Sequence, residues 1–310
     1  MLLDLLEDGI RFDPHYLPSM NSDHLPMTLC ALAGLGAGDG QLLAFRDEYA
    51  PRLRPVEPGT DPDDWRAGVG RLDAYASLLR HYRAEIERSG RDAVVASHLP
   101  VFLPGIALDA FHPVIRLAYG VRFGSDAETA AALAYMAAVH QEFPLDGTRI
   151  DLANTLRDQA AAPNVSFSSS RFGSSICELR DAGSWPAGQA SLDACAAASL
   201  EVYRATRNFF ALHMVTASQA IRALAHLVPR DVAEQALTGS LLAAHLVVGS
   251  PSLDGVKPVP PAMDHEHNYK YAFACLSEFQ ATGRDVYFSE VREMVAAGIV
   301  EPFTLEGFQT

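Results

Sequence analysis

The heptapeptide Asp264-His265-Glu266-His267-Asn268-Tyr269-Lys270 combines imidazole and amine side chains that could bind a metal or act as nucleophiles. His267 and Lys270 are three residues apart, and in a helix this spacing puts both side chains on one face. Lys270 is conspicuous because it and Lys257 are the only lysines among the 24 basic residues. A buried lysine can lose its proton and react, whereas arginine stays charged. The stretch predicts either a reactive lysine beside a metal-binding histidine or, by chance, a solvated surface lysine.

Asp264 lies between a proline-rich segment and an apolar helical pattern, which is typical of a helix N-cap. It could instead orient His267 through a hydrogen bond, and of the two roles we favour the cap. His265 would point ~200° away from His267 around the helix axis, so we do not expect it to be a ligand.

Four histidines recur in comparable settings along the chain. Each lies on or beside an amphipathic helix and is followed by a turn whose aspartate opens a second helix. The pairs, separated by 15, 14, 18 and 18 residues, are His24 with Asp39, His112 with Asp126, His213 with Asp231, and His267 with Asp285. Helical hairpins bury their apolar faces by stacking, so the four imidazoles could converge on one point. Taken singly, each histidine fits better as a hydrogen-bonded core residue.

Converging imidazoles are typical of sites for iron, zinc, copper or nickel. Four neutral histidines leave the charge of the metal uncompensated, so an anionic ligand is expected. Lys270 could provide it if its amine reacts with CO2 to give a carbamate, which is a hard oxygen ligand. A lysine pKa of ~10.4 falls by up to ~3–5 units on burial, and a place in the first turns of a helix lowers it further.

The hydrophobic pattern predicts an all-α protein because alternating strand patterns are nearly absent. We expect a single domain over residues 1–310, built from stacked helical hairpins around a central metal site. The expected helices cover 23–34, 40–53, 65–87, 94–107, 112–120, 126–143, a long helix from 191 through 213, 219–227, 231–248, a helix opened by Asp264, and 284–297.

Three further stretches have a composition or setting that could indicate a function. Residues 161–190 are rich in serine and glycine, which predicts an irregular lid or insertion. His98, in Ser97-His98-Leu99-Pro100, is a candidate pocket residue beside a helix broken by proline. The glycines between positions 34 and 40 look like a phosphate-binding loop. However, the sixth position is Asp39 and a helix precedes them, so we expect them only to separate two helices.

Four blocks of sequence contain the candidate ligands. They are Asn21-Ser22-Asp23-His24-Leu25-Pro26-Met27, Ala110-Phe111-His112-Pro113-Val114-Ile115-Arg116-Leu117-Ala118-Tyr119-Gly120, Phe210-Ala211-Leu212-His213-Met214-Val215-Thr216 and His267-Asn268-Tyr269-Lys270. Together they resemble the questin oxidase-like family, and they occur in order over most of the chain.

The resemblance implies a mainly helical fold and oxidative cleavage of polycyclic aromatic polyketides such as anthraquinones, with a Baeyer–Villiger-like or ring-cleaving outcome. It implies a non-haem Fe(II) held by four histidines and a carboxylated lysine. Carried over by position, the ligands are His24, His112, His213, His267 and Lys270, with Lys270 also the catalytic candidate. The chain would then be a mono- or dioxygenase with O2 as co-substrate. The absence of a Rossmann fingerprint argues against bound flavin or NAD(P), although an external reductant stays compatible.

Two alternatives remain open from the residues alone. A zinc-dependent hydrolase with a carbamylated lysine would contain zinc and turn over without O2. A non-catalytic helical scaffold with core histidines would bind no stoichiometric metal.

Composition limits the classes of binding partner and the cellular compartment that we expect for the protein. A net charge of −14 argues against nucleic acid and anionic membrane surfaces. The acidic N-terminal residues do not resemble a signal peptide, and the uncharged run 235–253 is interrupted by polar residues, which favours a core helix and a turn. Cys30, Cys177, Cys195 and Cys275 are far apart, which indicates reduced thiols. We therefore expect a cytoplasmic protein that takes a small aromatic substrate, with no nucleic-acid or membrane partner; a homo-oligomer is compatible.

Overall fold

Fourteen α-helices and one short antiparallel ribbon form the regular structure of the described residues. The computed structural model describes residues 1–16, 21–61, 64–259 and 265–301. The helices are α1 (Leu2–Gly9), α2 (Leu25–Gly34), α3 (Asp39–Tyr49), α4 (Tyr75–Ser89), α5 (Arg91–Phe102), α6 (His112–Arg122), α7 (Asp126–Val139), α8 (Leu152–Ala161), α9 (Phe172–Asp181), α10 (Leu192–Thr206), α11 (Phe209–Leu224), α12 (Arg230–Val247), α13 (His265–Thr282) and α14 (Asp285–Ala296). The strands are β1 (His15–Tyr16) and β2 (Asn21–Ser22). The predicted all-α class is confirmed.

Each of the four candidate histidines belongs to a pair of consecutive helices that pack on each other. The pairs are α2 with α3, α6 with α7, α11 with α12, and α13 with α14. Asp39, Asp126 and Asp285 are the first residues of the second helices, and Asp231 is the second residue of α12. A carboxylate is favourable there because the N-terminal end of a helix carries partial positive charge.

The four histidine-bearing helices form a closed ring of contacts. Helix α2 contacts α6, α6 contacts α11, α11 contacts α13, and α13 contacts α2. This arrangement brings together segments that lie more than two hundred residues apart in the sequence. It is the part of the fold that positions the candidate site.

Small residues let the hairpin of α6 and α7 pack tightly. Most of α7 between positions 127 and 138 is alanine, and every residue in that span is buried. Gly120 of α6 approaches α7 so closely that a Cβ atom there would lie 2.8 Å from the backbone nitrogen of Thr129. An added methyl group would therefore separate the helices, because packed interiors leave no room for it.

Arg116 and Glu128 form a buried ion pair across the same hairpin. The Arg116 Nε and Nη2 atoms donate to the Glu128 carboxylate oxygens at 2.7 and 2.9 Å, and each residue is 1% exposed. This bidentate geometry links the middle of α6 to the first turn of α7. It thereby fixes the helix that begins with His112.

The expected helix over 65–87 is shorter than predicted. Two 3-10 turns, Trp65–Gly68 and Leu72–Ala74, precede α4, which begins only at Tyr75. Gly70 has a φ of +75°, a left-handed conformation that interrupts a right-handed helix. Its backbone N–H donates to the Ala137 carbonyl at 2.8 Å, so the interruption is a contact with α7.

The prediction that 161–190 is irregular throughout is wrong, because this segment contains α9. Phe172, Ile176 and Leu179 of α9 are buried at helical spacing. The serine and glycine content of the segment obscured that short apolar stripe. A lid role for the segment stays a prediction.

The expected core helix in the uncharged run 235–253 is present as most of α12, followed by a turn at Gly249. No described helix combines the length and the apolarity needed to cross a lipid bilayer. All four cysteines are free; Cys177 is half-buried and the other three are buried.

We predict that Glu128→Gln lowers the free energy of unfolding by about 3–5 kcal/mol, because it leaves the buried Arg116 guanidinium without a counter-charge. Chemical denaturation measures this loss. The control is Glu7→Gln, which removes a carboxylate from a solvent-exposed pair with Arg83. That change should leave stability nearly unchanged. Equal effects of the two variants would contradict a special role for the buried pair.

Candidate metal centre

The structure brings the four candidate histidines together in the interior. One ring nitrogen from each of His24, His112, His213 and His267 lies within 4.8 Å of the others. All four residues are at most 5% exposed. His24 directly precedes α2, His112 begins α6, His213 lies in the second turn of α11, and His267 lies in the first turn of α13. The ring of helices thus contributes one imidazole from each member.

The distances between the nitrogens match those of ligands around one cation. His24 Nε2 lies 2.7 Å from His112 Nε2, and His213 Nε2 lies 3.1 Å from His112 Nε2. Two nitrogens that are each ~2.1 Å from one metal ion, at a right angle, would be ~3.0 Å apart. The three nitrogens are therefore spaced as adjacent ligands would be.

Backbone carbonyls fix the tautomers of two of these rings. His112 Nδ1 lies 2.6 Å from the Asp109 carbonyl oxygen, and His213 Nδ1 lies 2.9 Å from the Phe209 carbonyl oxygen. A carbonyl only accepts, so both Nδ1 atoms must donate. In the neutral rings both Nε2 atoms then carry lone pairs, and these face each other at 3.1 Å. That contact is repulsive unless positive charge lies between the two nitrogens.

A proton is a poor source of that charge. Burial, followed by the nearby Lys270 amine, lowers the pKa of His213 to about 3. Burial and the neighbouring His213 hold the pKa of His112 well below its usual range. Neutral imidazoles whose Nδ1–H groups are held by carbonyls are the usual form of metal-ligating histidine. The donor set therefore fits a metal ion.

His24 and His267 complete the group with nitrogens that have no hydrogen-bond partner among the described residues. These atoms are His24 Nδ1 and both ring nitrogens of His267. Among the described residues, the carboxylate oxygen Glu266 Oε1 lies 3.9 Å from His24 Nδ1. Burial lowers the pKa of both rings well below the usual value. Unpartnered buried nitrogens cost free energy, and coordination to a metal would recover it.

Lys270 is buried one helical turn after His267. It is 1% exposed, and its Nζ atom has no hydrogen-bond partner among the described residues. Burial lowers the pKa of this amine to about 7, while the negative charges of Glu266 and Asp23 oppose the shift. The amine is near enough to the cluster to lower the pKa of His24, His213 and His267 through its charge. A substantial fraction of these amines would therefore be neutral at neutral pH in the metal-free protein.

Asp264 and His98 were also predicted to lie at or near the site. Asp264, the proposed cap or orienting residue, lies outside the described residues. His98 is half-buried, and its ring contacts among the described residues are with Trp65, Tyr82 and Phe102 rather than with any of the four histidines. A pocket role for His98 therefore stays a prediction.

Sequence reasoning missed several residues around the cluster. Phe209 lies four residues before His213 on the same face of α11, a spacing that could have revealed it. Its ring lies 4.9 Å from the His213 ring and 4.7 Å from the His267 ring, centroid to centroid. Asp109 was missed because its backbone carbonyl, rather than its side chain, contacts His112. No motif in the sequence marks that role.

Comparison with known proteins connects this site to a family. A sequence model described as questin oxidase-like matches residues 21–183. The matched region contains His24 and His112 and ends before α10, α11 and α13.

Named relatives match the chain at low identity. A questin oxidase of Aspergillus terreus is 27% identical over 157 residues, which cover 45% of this chain and 35% of the relative. The Baeyer-Villiger oxidase mdpL of Emericella nidulans is 33% identical over 140 residues, which cover 40% of this chain and 31% of the relative. The Baeyer-Villiger oxidase ptaJ of Pestalotiopsis fici is 26% identical with the same coverage. The chain thus matches about a third of the length of these relatives. Since the family model covers more than half of the chain, the protein belongs to the questin oxidase-like family.

Proposed function

We propose that this protein is a non-haem Fe(II)-dependent oxygenase that cleaves or oxidises a polycyclic aromatic, anthraquinone-like polyketide or a related small molecule. The observation that carries the proposal is the pair of buried Nε2 lone pairs of His112 and His213, which face each other at 3.1 Å beside His24. Imidazole suits several transition metals. Iron is favoured because relatives are named as oxidases of questin or as Baeyer-Villiger oxidases, and such chemistry consumes O2.

The four histidines would hold the iron, and Lys270 would supply an oxygen ligand. Iron, when bound, supplies the one-electron steps that let O2 react with an organic molecule. The protein keeps the imidazoles neutral by burial and aims them through the Asp109 and Phe209 carbonyls. It also shields the cluster from bulk solvent, since all four rings are buried. These are contributions of geometry and dielectric environment.

Lys270 would become an anion by reaction with CO2. The lone pair of the neutral Nζ forms a bond to the carbon of CO2 while one C–O π bond breaks and its electron pair moves onto oxygen. The nitrogen then releases one proton to solvent, which gives a carbamate with one negative charge. Only the neutral amine reacts, and burial lowers the pKa of Lys270 to about 7, so a large fraction is available at neutral pH. The adjacent cation would then stabilise the product.

An aromatic strip beside the cluster supports a flat aromatic substrate. Phe209 is 42% exposed although its ring touches His213 and His267. The next residue, Phe210, stacks on Phe172 of α9 at a centroid distance of 4.7 Å. Aromatic rings favour stacked or edge-to-face contact with other aromatic rings. The exposed part of Phe209 is therefore a surface on which a substrate ring could stack next to the metal.

The proposal predicts about one iron per chain in protein purified without oxygen, measured by elemental analysis. His213→Ala should lose most of this iron, because each ligand contributes strongly to metal affinity. His226→Ala is the matched control, since His226 is exposed and should leave iron unchanged. Zinc with turnover independent of O2 would instead indicate a hydrolase. A folded protein with no stoichiometric metal would indicate a scaffold.

Lys270→Arg should lower both the iron content and the O2 uptake with an anthraquinone such as questin by roughly 10–100-fold, because arginine forms no carbamate and places a permanent positive charge beside the ion. Lys270→Ala should recover part of its activity when formate is added as a replacement carboxylate. Full activity of Lys270→Arg would refute the carbamate.

The carbamate also predicts a pH dependence. After removal of bound CO2, reactivation at a fixed concentration of dissolved CO2 should become faster as the pH rises from about 6 to about 8. The sign follows from the amine, which loses its proton as the pH rises through about 7. A rate that falls over this interval would contradict attack by the neutral amine.

Phe209→Ala should weaken binding of an anthraquinone about tenfold, equivalent to about 1.4 kcal/mol, without loss of iron. The matched control is Phe288→Ala, which removes a half-buried ring that stacks on Phe279. Fluorescence titration and elemental analysis measure the two quantities. Unchanged binding in Phe209→Ala would exclude the stacking role, and loss of iron would show that the ring supports the histidines instead.

A further inference from the structure

The segment that leads into α6 has an unusual backbone. Asp109, Ala110 and Phe111 have φ values of +47°, +52° and +66°, so three consecutive residues with a Cβ atom are left-handed. Such conformations are disfavoured for L-amino acids other than glycine. They persist only where surrounding contacts hold them, and they cluster at functional sites. The strained turn, residues 109–111, lies immediately before His112.

A hydrogen-bond chain of buried residues holds the partly exposed carboxylate of Asp109, the first residue of the strained turn. The Tyr135 hydroxyl donates to Asp109 Oδ2 at 2.9 Å, and His15 Nε2 lies 2.9 Å from the same oxygen. The Tyr135 hydroxyl also lies 2.7 Å from Ser22 Oγ, which can donate to it. Tyr135 is fully buried, and His15 and Ser22 are nearly so. The chain therefore joins β1, β2 and α7 to one carboxylate oxygen of Asp109.

The backbone carbonyl of Asp109 connects the strained turn to the candidate metal site. It accepts from His112 Nδ1 at 2.6 Å, the contact that leaves the Nε2 lone pair of His112 facing His24 and His213. The side chain of Asp109 is thus anchored by Tyr135 and His15 while its carbonyl orients an imidazole. A conventional helix start has an extended N-cap residue, whereas Phe111 precedes α6 in a left-handed conformation with no side-chain cap.

We propose that Tyr135 and His15 are positioning residues for the metal centre. Through Asp109 they hold the strained turn in place and thereby fix the tautomer and the direction of His112. Neither residue belongs to the group of candidate ligands. The inference rests on the proposed function because it takes a metal ion to be the cation that the oriented His112 ring binds.

Tyr135→Phe tests the proposal because it removes a single oxygen atom. In metal-free protein labelled with 15N-histidine, NMR should show His112 as the Nδ1–H tautomer in the wild type and as a mixture in the variant. Titration with Co(II) alone should show roughly 10–100-fold weaker binding and an altered visible spectrum. Tyr82→Phe is the matched control, because its buried hydroxyl lies 3.3 Å from His98 Nδ1, and it should change neither quantity.

A second substitution separates positioning from a general loss of packing. Glycine adopts positive φ without strain, so Ala110→Gly added to Tyr135→Phe should restore much of the Co(II) affinity and the Nδ1–H tautomer. Lost affinity that Ala110→Gly does not restore would overturn the proposal, as would a Tyr135→Phe protein with unchanged tautomer and affinity. A tautomer shift in a protein that binds no metal would support the positioning role and reject the proposed oxygenase.

Discussion

Two unprotonated imidazole nitrogens that face each other in a protein interior repel each other unless positive charge lies between them. His112 and His213 are in this position because carbonyl oxygens hold both of their Nδ1 protons. A proton could supply the charge, but burial and a neighbouring amine disfavour an imidazolium at either ring. Coordination to a cation meets the same demand without protonating a buried group. The contact between α6 and α11 is what brings these two rings together.

The helices determine how close the rings come, and irregular segments determine where they point. Close packing of α6 against α7, through Gly120 and the alanines of α7, fixes the helix that begins with His112. Helix geometry alone would leave the ring free to rotate about its side-chain torsions. The carbonyl of Asp109 removes that freedom, at the cost of a left-handed backbone. The strained backbone at 109–111 thus accompanies the fixed orientation of the His112 ring.

The sequence was most informative where the spacing was local. The three-residue separation of His267 and Lys270 correctly indicated one helical face, and the repeated histidine-turn-aspartate pattern corresponds to four real helix pairs. The convergence of four rings could not follow from such spacing, since it depends on which helices contact each other. The turn at 109–111 was not predicted because alanine and phenylalanine rarely adopt positive φ, and one aspartate, although enriched there, does not indicate three consecutive left-handed residues. The buried stripe of α9 was hidden for a different reason: serine and glycine dominate its surroundings.

Charge balance decides which form of Lys270 is compatible with a metal at this site. Four neutral imidazoles leave the full charge of a divalent ion in place, and a protonated Lys270 would add to it in a buried environment. The nearby acids among the described residues offset only part of this charge. Glu266 is shared with Arg52, whose Nη1 atom lies 3.7 Å from it, and burial raises the pKa of Asp23 to about 7. A neutral amine would leave this excess positive charge unchanged, whereas a carbamate near the four histidines would reduce it. A bound cation would oppose an ammonium group at Lys270 and favour its conversion to an anion, so the chemistry of the lysine would depend on whether the four histidines hold a metal.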